Sequence, residues 1–503
     1  MRRCAGDLPG AGLSMGVRSA LLFASCGRYL VVVINLATTA VTARLLTPAQ
    51  FGLSVLGVAV FAVPEALREL GSVAYLVQQK EVTLEKIRTV FTVSLIVTAV
   101  MSVALALVSD PIATYYGDRR LGSFLHIAAL AYAVGPFVHP IYALMSRQMA
   151  FGRIALIDVA AAATNAIASI GLLMMGVGLL GLAWASAISA ACTMLLGFYF
   201  QRDFAVFRPS LRAWRGVLSF GIYGSTTALL YRVSESMFYL IFGKLLPAHD
   251  VGIFQRSVTL ATFPERVVLG GVATVALPAF SDHARRGNEL RLAYLRGLSL
   301  VSAVQWPALL LLMIMAEPAV RLMLGPQWHE CVPLMRIMTI SLLMNFPTTL
   351  NYPLQVATGA IRATVGLAFV QMVVVLTSLI IAAELGGALA VALASLATTP
   401  LSVALSVWVV RRYVPFRLVE FFAALWRSAV ASALSALGPA AILLFWGQPI
   451  PIPLMALACL LCTAGWFIGL WLAAHPMLHE VATMAGTISR ACRGRFVAHP
   501  KVV

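Results

Sequence analysis

Charge is the scarcest property of this sequence. Only 11% of its 503 residues are Asp, Glu, Lys or Arg, whereas soluble proteins carry about 25%. Acidic residues are especially few, with 19 Asp and Glu against 36 Lys and Arg. The chain is 61% hydrophobic, and its mean hydropathy is +0.92. This composition excludes an ordinary soluble protein and predicts a chain that lies mostly within a membrane.

Signatures of common enzymes and metal proteins are also missing. The sequence has no G-x-x-x-x-G-K-[ST] loop, which argues against ATP hydrolysis. Its seven cysteines include Cys459-x-x-Cys462 with no second pair, so neither a metal nor a redox site is predicted. No outer loop is long enough for a Ser/His/Asp or paired-carboxylate site. We therefore expect no enzyme activity, no metal and no bound cofactor.

Fourteen apolar runs have the length that a bilayer requires. A hydrocarbon core about 30 Å thick needs roughly 20 helical residues. Such segments are helices, because each must satisfy its own backbone hydrogen bonds in lipid. The runs are 19–43, 51–77, 88–109, 121–145, 153–175, 179–200, 216–243, 251–279, 293–316, 331–356, 363–383, 387–410, 427–446 and 453–474.

The basic residues between the runs are distributed unevenly. With a cytoplasmic N-terminus, twenty-five Lys and Arg fall in cytoplasmic stretches and five in outer stretches, a positive-inside pattern. One miscounted helix would remove this asymmetry, so an even number of spans with both termini cytoplasmic is predicted. The net charge of +17 then faces anionic membrane lipids and implies no nucleic-acid partner. Six tryptophans lie near run ends, as interfacial anchors do: Trp214, Trp328, Trp408, Trp426, Trp446 and Trp471.

The chain contains an internal repeat with an offset of 200 residues. Leu45–Gly71 aligns with Leu245–Gly271 without a gap, and seven of 27 positions are identical. Two parallel six-helix halves, related by an axis along the membrane normal, account for this offset. The identical pairs are Leu45/Leu245, Leu46/Leu246, Gly52/Gly252, Val58/Val258, Pro64/Pro264, Glu65/Glu265 and Gly71/Gly271.

The predicted fold is an all-α polytopic membrane protein with about 14 transmembrane helices. Two parallel six-helix repeats are followed by a C-terminal helix pair. The segments are a cytoplasmic N-terminus at 1–18, an N-lobe at 19–200, a cytoplasmic linker at 201–215, a C-lobe at 216–410, the helix pair at 427–474 and a basic cytoplasmic tail at 475–503.

Ten of the charged residues within the apolar runs are candidates for a functional role. Each would cost about 2.5–3.5 kcal/mol if it faced lipid near the membrane centre. Together they would exceed the roughly 5–15 kcal/mol by which proteins are stable. They must therefore pair or point into a water-filled cavity. They are Arg28, Glu65, Arg68, Glu69, Asp158, Arg232, Glu235, Arg256, Glu265 and Arg266.

Pairing accounts for part of this set. Glu65 and Glu69 share a helix face with Arg68. Asp158 lies at a depth from which it would neutralise Arg28 on another helix. The other candidate pairs are Arg232 with Glu235, and Glu265 with Arg266, which are adjacent and do not face each other.

Anion binding is the alternative role for the arginines. Arg28 and Arg256 have no acid within one helical turn, and Arg232 lies in the outer part of its run. The guanidinium group is a permanently charged planar fork that binds phosphate through two hydrogen bonds. A diphosphate or an acidic sugar is the expected ligand. The candidate substrate-binding cations are Arg28, Arg232, Arg256 and Arg266.

The carboxylates are candidates for carrying a coupling ion. A Glu beside a proline in a span can exchange a proton, or hold Na+ together with freed carbonyl groups. The alternative is that these acids only orient neighbouring arginines. An H+ or Na+ gradient is the expected energy source. The candidate ion-coupling residues are Glu65, Glu69, Asp158, Glu235 and Glu265, and the candidate hinges are Pro64 and Pro264.

Four groups of motifs extend across the two predicted halves. They are Thr42-Ala-Arg-Leu-Leu-Thr-Pro-Ala-Gln-Phe-Gly-Leu53 with Leu67-Arg-Glu-Leu-Gly71 and Leu76-Val-Gln78; Gly252-Ile-Phe254 with Val275-Ala-Leu-Pro-Ala-Phe280; Gly325-Pro-Gln-Trp328 with Cys331-Val-Pro-Leu-Met335; and Leu354-Gln-Val-Ala-Thr-Gly359. These motifs resemble the polysaccharide-transporter branch of the MOP exporter superfamily, the Wzx-type flippases. They are specific for the branch and not for the substrate.

The resemblance implies a V-shaped, two-lobed transporter in the bacterial inner membrane. It would move an undecaprenyl-diphosphate-linked oligosaccharide to the periplasmic leaflet by alternating access, for exopolysaccharide, capsule or O-antigen of lipopolysaccharide. The resemblance also implies a cationic cavity between the lobes and the use of an ion gradient. Arg28 and Arg232 lie where that cavity is expected, but outside the matched motifs. A polysaccharide polymerase and glycosyltransferases are the expected protein partners.

Three other functions fit parts of the sequence. A MATE-like drug antiporter would share the two-lobed plan, but cationic drugs favour an acidic cavity and the charges here balance. A flippase for the peptidoglycan lipid precursor would accommodate the extra helix pair. A polytopic polymerase or glycosyltransferase would need a large outer loop or a cluster of catalytic acids, and the sequence has neither.

Overall fold

The structure of the protein is a computed structural model, and it describes residues 17–68, 75–76, 83–201, 204–286 and 289–483. Regular structure within these residues is helical, which confirms the all-α expectation. The chain divides into two compact units. These units differ from the predicted lobes in two segments: Leu46–Val60 belongs with the second unit, and 216–225 belongs with the first. The lobe boundaries themselves stay a prediction.

The first unit contains the described residues of Met1–Leu45 and Phe61–Ser225. Its helices are α1 (Val17–Leu45), the end of α2 (Pro48–Arg68), α3 (Leu84–Tyr116), α4 (Arg119–Tyr132), α5 (Gly135–Arg147), α6 (Phe151–Met174), α7 (Leu180–Phe200) and the start of α8 (Trp214–Leu245). Helix α6 packs along both α1 and α7, and α3 packs against α4. Gly27 allows α1 to approach α6 closely, because a Cβ at Gly27 would lie 2.6 Å from that of Ala155.

The second unit contains the described residues of Leu46–Val60 and Thr226–Val503. Its further helices are α9 (Ala248–Ala261), α10 (Phe263–Arg285), α11 (Leu290–Ile314), α12 (Ala316–Met323), α13 (Cys331–Asn345), α14 (Thr348–Ala357), α15 (Ile361–Tyr413), α16 (Leu418–Trp446) and α17 (Ile452–Leu472). Helix α13 packs against α9 and α15, and α10 packs against α14. An apolar core joins α11, α15 and α16 through residues such as Tyr294, Val410 and Phe421.

The helices confirm a multi-pass membrane protein. Ten helices in the described part of the chain are long and apolar enough to cross a membrane, or eleven if the bent pair α4 and α5 is one span. The total of fourteen stays a prediction. The runs 363–383 and 387–410 are joined in α15, which is interrupted at Gly386 and Gly387. Gly387 has a φ of 65°, a left-handed conformation that glycine adopts without steric cost.

The C-terminal pair α16 and α17 packs on α11 through buried polar contacts. Trp466 Nε1 donates to the carbonyl of Ala303 at 2.6 Å. His475 Nε2 lies 2.9 Å from Ser299 Oγ and 3.1 Å from Ser428 Oγ, while Nδ1 accepts from the backbone N–H of Met477. Burial lowers the pKa of His475 to about 4, so the imidazole is neutral near pH 7. Hydrogen bonds between neutral groups thus hold the C-terminal helix pair against α11.

Two glycines at equivalent positions of the repeat, Gly52 and Gly252, allow α2 and α9 to cross in close contact. A Cβ at Gly52 of α2 would lie 1.7 Å from the carbonyl oxygen of Ala248 in α9. A Cβ at Gly252 of α9 would lie 2.1 Å from the carbonyl oxygen of Pro48 in α2. Each helix therefore presents the same face to the other. Only glycine allows this approach, which gives a physical reason for the identity of positions 52 and 252.

The repeated prolines lie in different local structures. Pro64 is inside the continuous helix α2, where its missing N–H leaves the carbonyl of Val60 without its usual partner. Pro264 instead follows a helix break at Thr262 and occupies the first turn of α10, a position that proline favours. The two prolines lie within the predicted runs 51–77 and 251–279, but Pro64 is inside a helix and Pro264 is at the start of one. Their role as hinges stays a prediction.

Substitution of Gly52 tests the α2–α9 crossing. We expect Gly52→Ala to lower the free energy of unfolding by about 1–3 kcal/mol, because the added methyl group would overlap a backbone carbonyl. Thermal unfolding of the purified protein in detergent measures the effect. Gly366→Ala is the matched control, since no atom lies within 4 Å of a Cβ added there. Equal midpoints for the two variants would contradict the close crossing.

Candidate functional site

Arg256 lies in an aromatic box within the second unit. Its Cζ is 3.7 Å from the ring centroid of Phe51 in α2 and 5.6 Å from that of Trp328. The two rings meet edge to face at 6.0 Å. Arg256 is only 5% exposed, and its Nε has no hydrogen-bond partner. Cation–π attraction, which strengthens on desolvation, therefore offsets part of the cost of burying this charge.

The Gly325-Pro-Gln-Trp328 motif completes the box. Pro326–Trp328 forms a short 3₁₀ turn, and Gln327 Nε2 donates to the carbonyl of Leu46 at 3.1 Å. Trp328 has no exposed surface, so its assignment as an interfacial anchor is wrong. The other five tryptophans of that set are exposed, as interfacial anchors should be. Sequence reasoning missed this box because residues 51, 256 and 328 are far apart in the chain.

Glu65 and Arg68 form an ion pair in the first unit. Arg68 is 8% exposed, and its Cζ lies 4.7 Å from the ring centroid of Tyr132, whose hydroxyl donates to the carbonyl of Pro64 at 2.6 Å. A Cβ at Gly135 would lie 2.1 Å from Arg68 Nη1, so this glycine leaves room for the guanidinium at the α4–α5 break. The predicted pairing of Glu65 with Arg68 is confirmed. Glu69, the third predicted member, lies outside the described residues.

Asp158 and Arg28 lie on neighbouring helices. Arg28 follows Gly27 of α1, and Asp158 is one turn beyond Ala155 of α6, the residue that Gly27 contacts. Both side chains are exposed. Asp158 Oδ1 accepts from the Tyr142 hydroxyl at 2.8 Å. The structure thus brings the predicted cation and carboxylate into one region and adds a tyrosine that the sequence did not indicate.

A second group of predicted residues surrounds Tyr239 in the second unit. Glu235 of α8 and Arg266 of α10 both interact electrostatically with the Tyr239 phenol, which donates to Gln255 Oε1. Glu235 and Arg266 are exposed. Sequence spacing had paired each of them with a neighbour along its own run, and it gave no sign of this contact between helices.

The remaining predicted residues of the second unit are Arg232 and Glu265. Arg232 is exposed on α8, three residues before Glu235. Glu265 is half-buried in the first turn of α10. There the partial positive charge of the helix N-terminus favours its carboxylate.

A small polar cavity also lies in the second unit, between α13 and α15. Its volume is about 160 Å³, and polar side chains of Ser341, Asn345, Thr398, Thr399 and Ser402 line it. Ligand pockets usually measure about 300–1,000 Å³, so this cavity is too small for an oligosaccharide. Among the described residues, no three His, Cys, Asp or Glu side chains are grouped to hold a metal ion.

The described residues form a polytopic bundle of helices that are long and apolar enough to cross a membrane, and a solved structure shares this fold. The lipid II flippase MurJ in an inward closed conformation has a TM-score of 0.73 at 13% identity. The similarity covers 89% of this chain and 98% of that one. At this identity the likeness establishes the fold alone.

Sequence comparison identifies the family. The profile of the family described as "Polysaccharide biosynthesis protein" matches residues 41–333. The chain belongs to this family, and the resemblance to the polysaccharide-transporter branch of the MOP superfamily is confirmed.

Two relatives illustrate the membership. The lipopolysaccharide biosynthesis protein WzxC of Escherichia coli (strain K12) is 23% identical over 320 residues, 62% of this chain and 64% of the relative. The succinoglycan biosynthesis transport protein ExoT of Rhizobium meliloti (strain 1021) is 26% identical over 333 residues, 64% of this chain and 66% of the relative. The chain thus spans slightly less than two thirds of these relatives.

A double-mutant cycle tests the Glu65–Arg68 pair. We expect Glu65→Gln to lower the free energy of unfolding by about 2–3 kcal/mol, because it leaves the buried Arg68 unpaired. Arg68→Gln should lower it by about 1–2 kcal/mol, because the Glu65 that it leaves unpaired is only half-buried. The double variant should lose less than the sum of the single losses. Arg285→Gln is the control, because Arg285 is exposed and only weakly paired with Asp282 at 3.7 Å. Additive losses in thermal unfolding would show that the two side chains are not coupled.

Proposed function

We propose that the protein is a flippase that moves polyprenyl-diphosphate-linked oligosaccharide units across the bacterial inner membrane for surface polysaccharide synthesis. Family membership and the names of WzxC and ExoT support this pathway. The observation that carries the proposal is the exposure of Arg28 and Arg232 within apolar helices. Each would cost about 2.5–3.5 kcal/mol against lipid. Their exposure therefore favours a water-filled cavity that an anionic headgroup enters.

The chemistry of the substrate follows from these cations. A diphosphate carries several anionic oxygens, and guanidinium groups bind such oxygens in pairs. Arg28 and Arg232 are accessible for this role, and Arg266 is exposed as well. Arg256 is enclosed by Phe51 and Trp328, so it would meet the substrate only after the aromatic box opens.

Topology and partners complete the proposal. Fourteen spans in two six-helix repeats and a helix pair would place both termini in the cytoplasm, as the basic residues favour. Glycosyltransferases would supply the lipid-linked unit, and a polymerase would consume it. The chain itself would perform no chemical reaction, and it would move the substrate without a bound cofactor.

Ion coupling would use carboxylates near the moving parts. Glu65 is a candidate because it adjoins Pro64 and pairs with Arg68. The two compact units divide α2 after Val60, the residue whose carbonyl loses its hydrogen bond to Pro64. Bending of α2 at this place would alter the Glu65–Arg68 pair and its affinity for H+ or Na+. Asp158, Glu235 and Glu265 are the other candidates for the same role.

A second candidate function is flipping of the peptidoglycan lipid precursor. The similarity to the MurJ fold favours it, and its substrate is also a lipid diphosphate. Deletion of the gene separates the two. Loss of surface polysaccharide in viable cells supports the first function, whereas lethality in every background, including strains that make no surface polysaccharide, supports the second.

Substitution of the exposed arginines tests the proposed substrate site. We expect Arg28→Ala and Arg232→Ala each to abolish surface polysaccharide while protein level stays normal, because the diphosphate loses a charged partner. Complementation of a deletion strain, with extracted polysaccharide and membrane protein quantified together, measures this. Arg120→Ala is the control, since Arg120 pairs with Asp118 outside the long spans. Full export by a well-expressed Arg28 or Arg232 variant would remove that residue from the site.

A further inference from the structure

Three arginines lie at the corner between α15 and α16, where the charge of Arg417 also acts on the carboxylate of Glu420. Arg411 and Arg412 end α15, and Arg417 immediately precedes α16. The nearest acid, Glu420, is already engaged: Oε1 accepts from Arg291 Nη1 at 2.7 Å, and Oε2 accepts from the backbone N–H of Arg417 at 3.0 Å. Across the described ranges, none of the ion pairs involves the side chains of this basic corner, Arg411, Arg412 and Arg417.

A hydrogen bond and a buried aromatic ring hold the turn of the basic corner. Arg411 Nε donates to the carbonyl of Phe416 at 3.1 Å and closes the turn. Phe416 is buried, with its ring 5.5 Å from that of Tyr294 and stacked at 6.2 Å on that of Phe421. Arg411 therefore stabilises the turn between α15 and α16. Arg412 and Arg417 are exposed and available to a ligand.

Exposed apolar side chains continue from the basic corner along both helices. Trp408 is 51% exposed, and its ring centroid lies 3.6 Å from Arg412 Cζ. On α16, Leu418, Phe422 and Trp426 are exposed at intervals of four residues, so they form one stripe that starts directly after Arg417. Tryptophan rings prefer the headgroup level of a bilayer. The corner thus combines cations at headgroup level with an apolar track leading away from them.

We infer that the basic corner binds an anionic phospholipid, with the headgroup phosphate on Arg412 and Arg417 and an acyl chain along Leu418, Phe422 and Trp426. The charge of the corner complements the phosphate, and the apolar stripe fits a chain that a soluble anion lacks. Basic residues at the cytoplasmic surface attract anionic lipid. This site is independent of the substrate that the protein transports.

Lipid titration of the purified full-length protein tests the site. Native mass spectrometry in detergent would compare phosphatidylglycerol with phosphatidylcholine of the same acyl chains, in wild type and in the double variant Arg412→Gln/Arg417→Gln. We expect the tightest phosphatidylglycerol binding of wild type to weaken about tenfold or more in this variant. Arg412→Lys/Arg417→Lys should retain most of the binding, which excludes a general folding defect.

Arg285→Gln/Arg286→Gln is the matched control, because it removes the same charge from arginines that pair with Asp282. Its phosphatidylglycerol affinity should change less than twofold. Equal weakening in both double variants would overturn the site and leave only a general charge effect. Equal binding of the two lipids to wild type would also overturn it. A third result would also overturn the proposal. If undecaprenyl diphosphate binds tenfold tighter than phosphatidylglycerol, and does so only when Arg412 and Arg417 are present, the corner binds the carrier lipid instead.

Discussion

The cost of placing charge in hydrocarbon is the constraint on which the rest of this structure depends. The chain meets it in three ways. Glu65 and Arg68 pair inside the first unit, and Arg256 stacks between aromatic rings in the second. Arg28 and Arg232 keep their side chains exposed, which in the proposed transporter would be exposure to a water-filled cavity. Pairing and stacking stabilise one arrangement of helices, and the proposed function assigns the two exposed cations to an anionic ligand.

The repeat, the motifs and the buried cation belong to one contact region of the second unit. The glycine crossing of α2 and α9 brings Phe51 onto Arg256, and Gln327 ties the Trp328 turn to the carbonyl of Leu46. Opening this region would separate α2 from α9 and, in the same movement, expose Arg256 to water. A single movement could therefore change the number of cations that a substrate meets. In the proposed transporter, the identical glycines would then serve transport as well as packing.

The sequence predicted the all-helical membrane fold and the family, because apolar length, charge distribution and contiguous motifs are local properties. It also predicted the Glu65–Arg68 pair, which lies within one turn of a single helix. It missed the aromatic box around Arg256 and the interaction of Arg266 in α10 with Tyr239 in α8. Those contacts join helices distant in the chain, and periodicity carries no information about them. The sequence also did not predict that Pro264 follows a helix break whereas Pro64 lies inside a continuous helix. The two residues are identical, and residue identity alone does not show where a helix begins.

The most direct test of the proposed transport is translocation by purified protein in liposomes. A fluorescent polyprenyl-diphosphate oligosaccharide would be placed in the inner leaflet, and its arrival in the outer leaflet would be followed by a membrane-impermeant quencher. Flipping by the protein predicts quenching well above that of empty liposomes, lost in the Arg28→Ala and Arg232→Ala variants and absent for a phosphatidylcholine probe. Quenching equal to that of empty liposomes, with well-folded protein under an H+ or Na+ gradient, would contradict it.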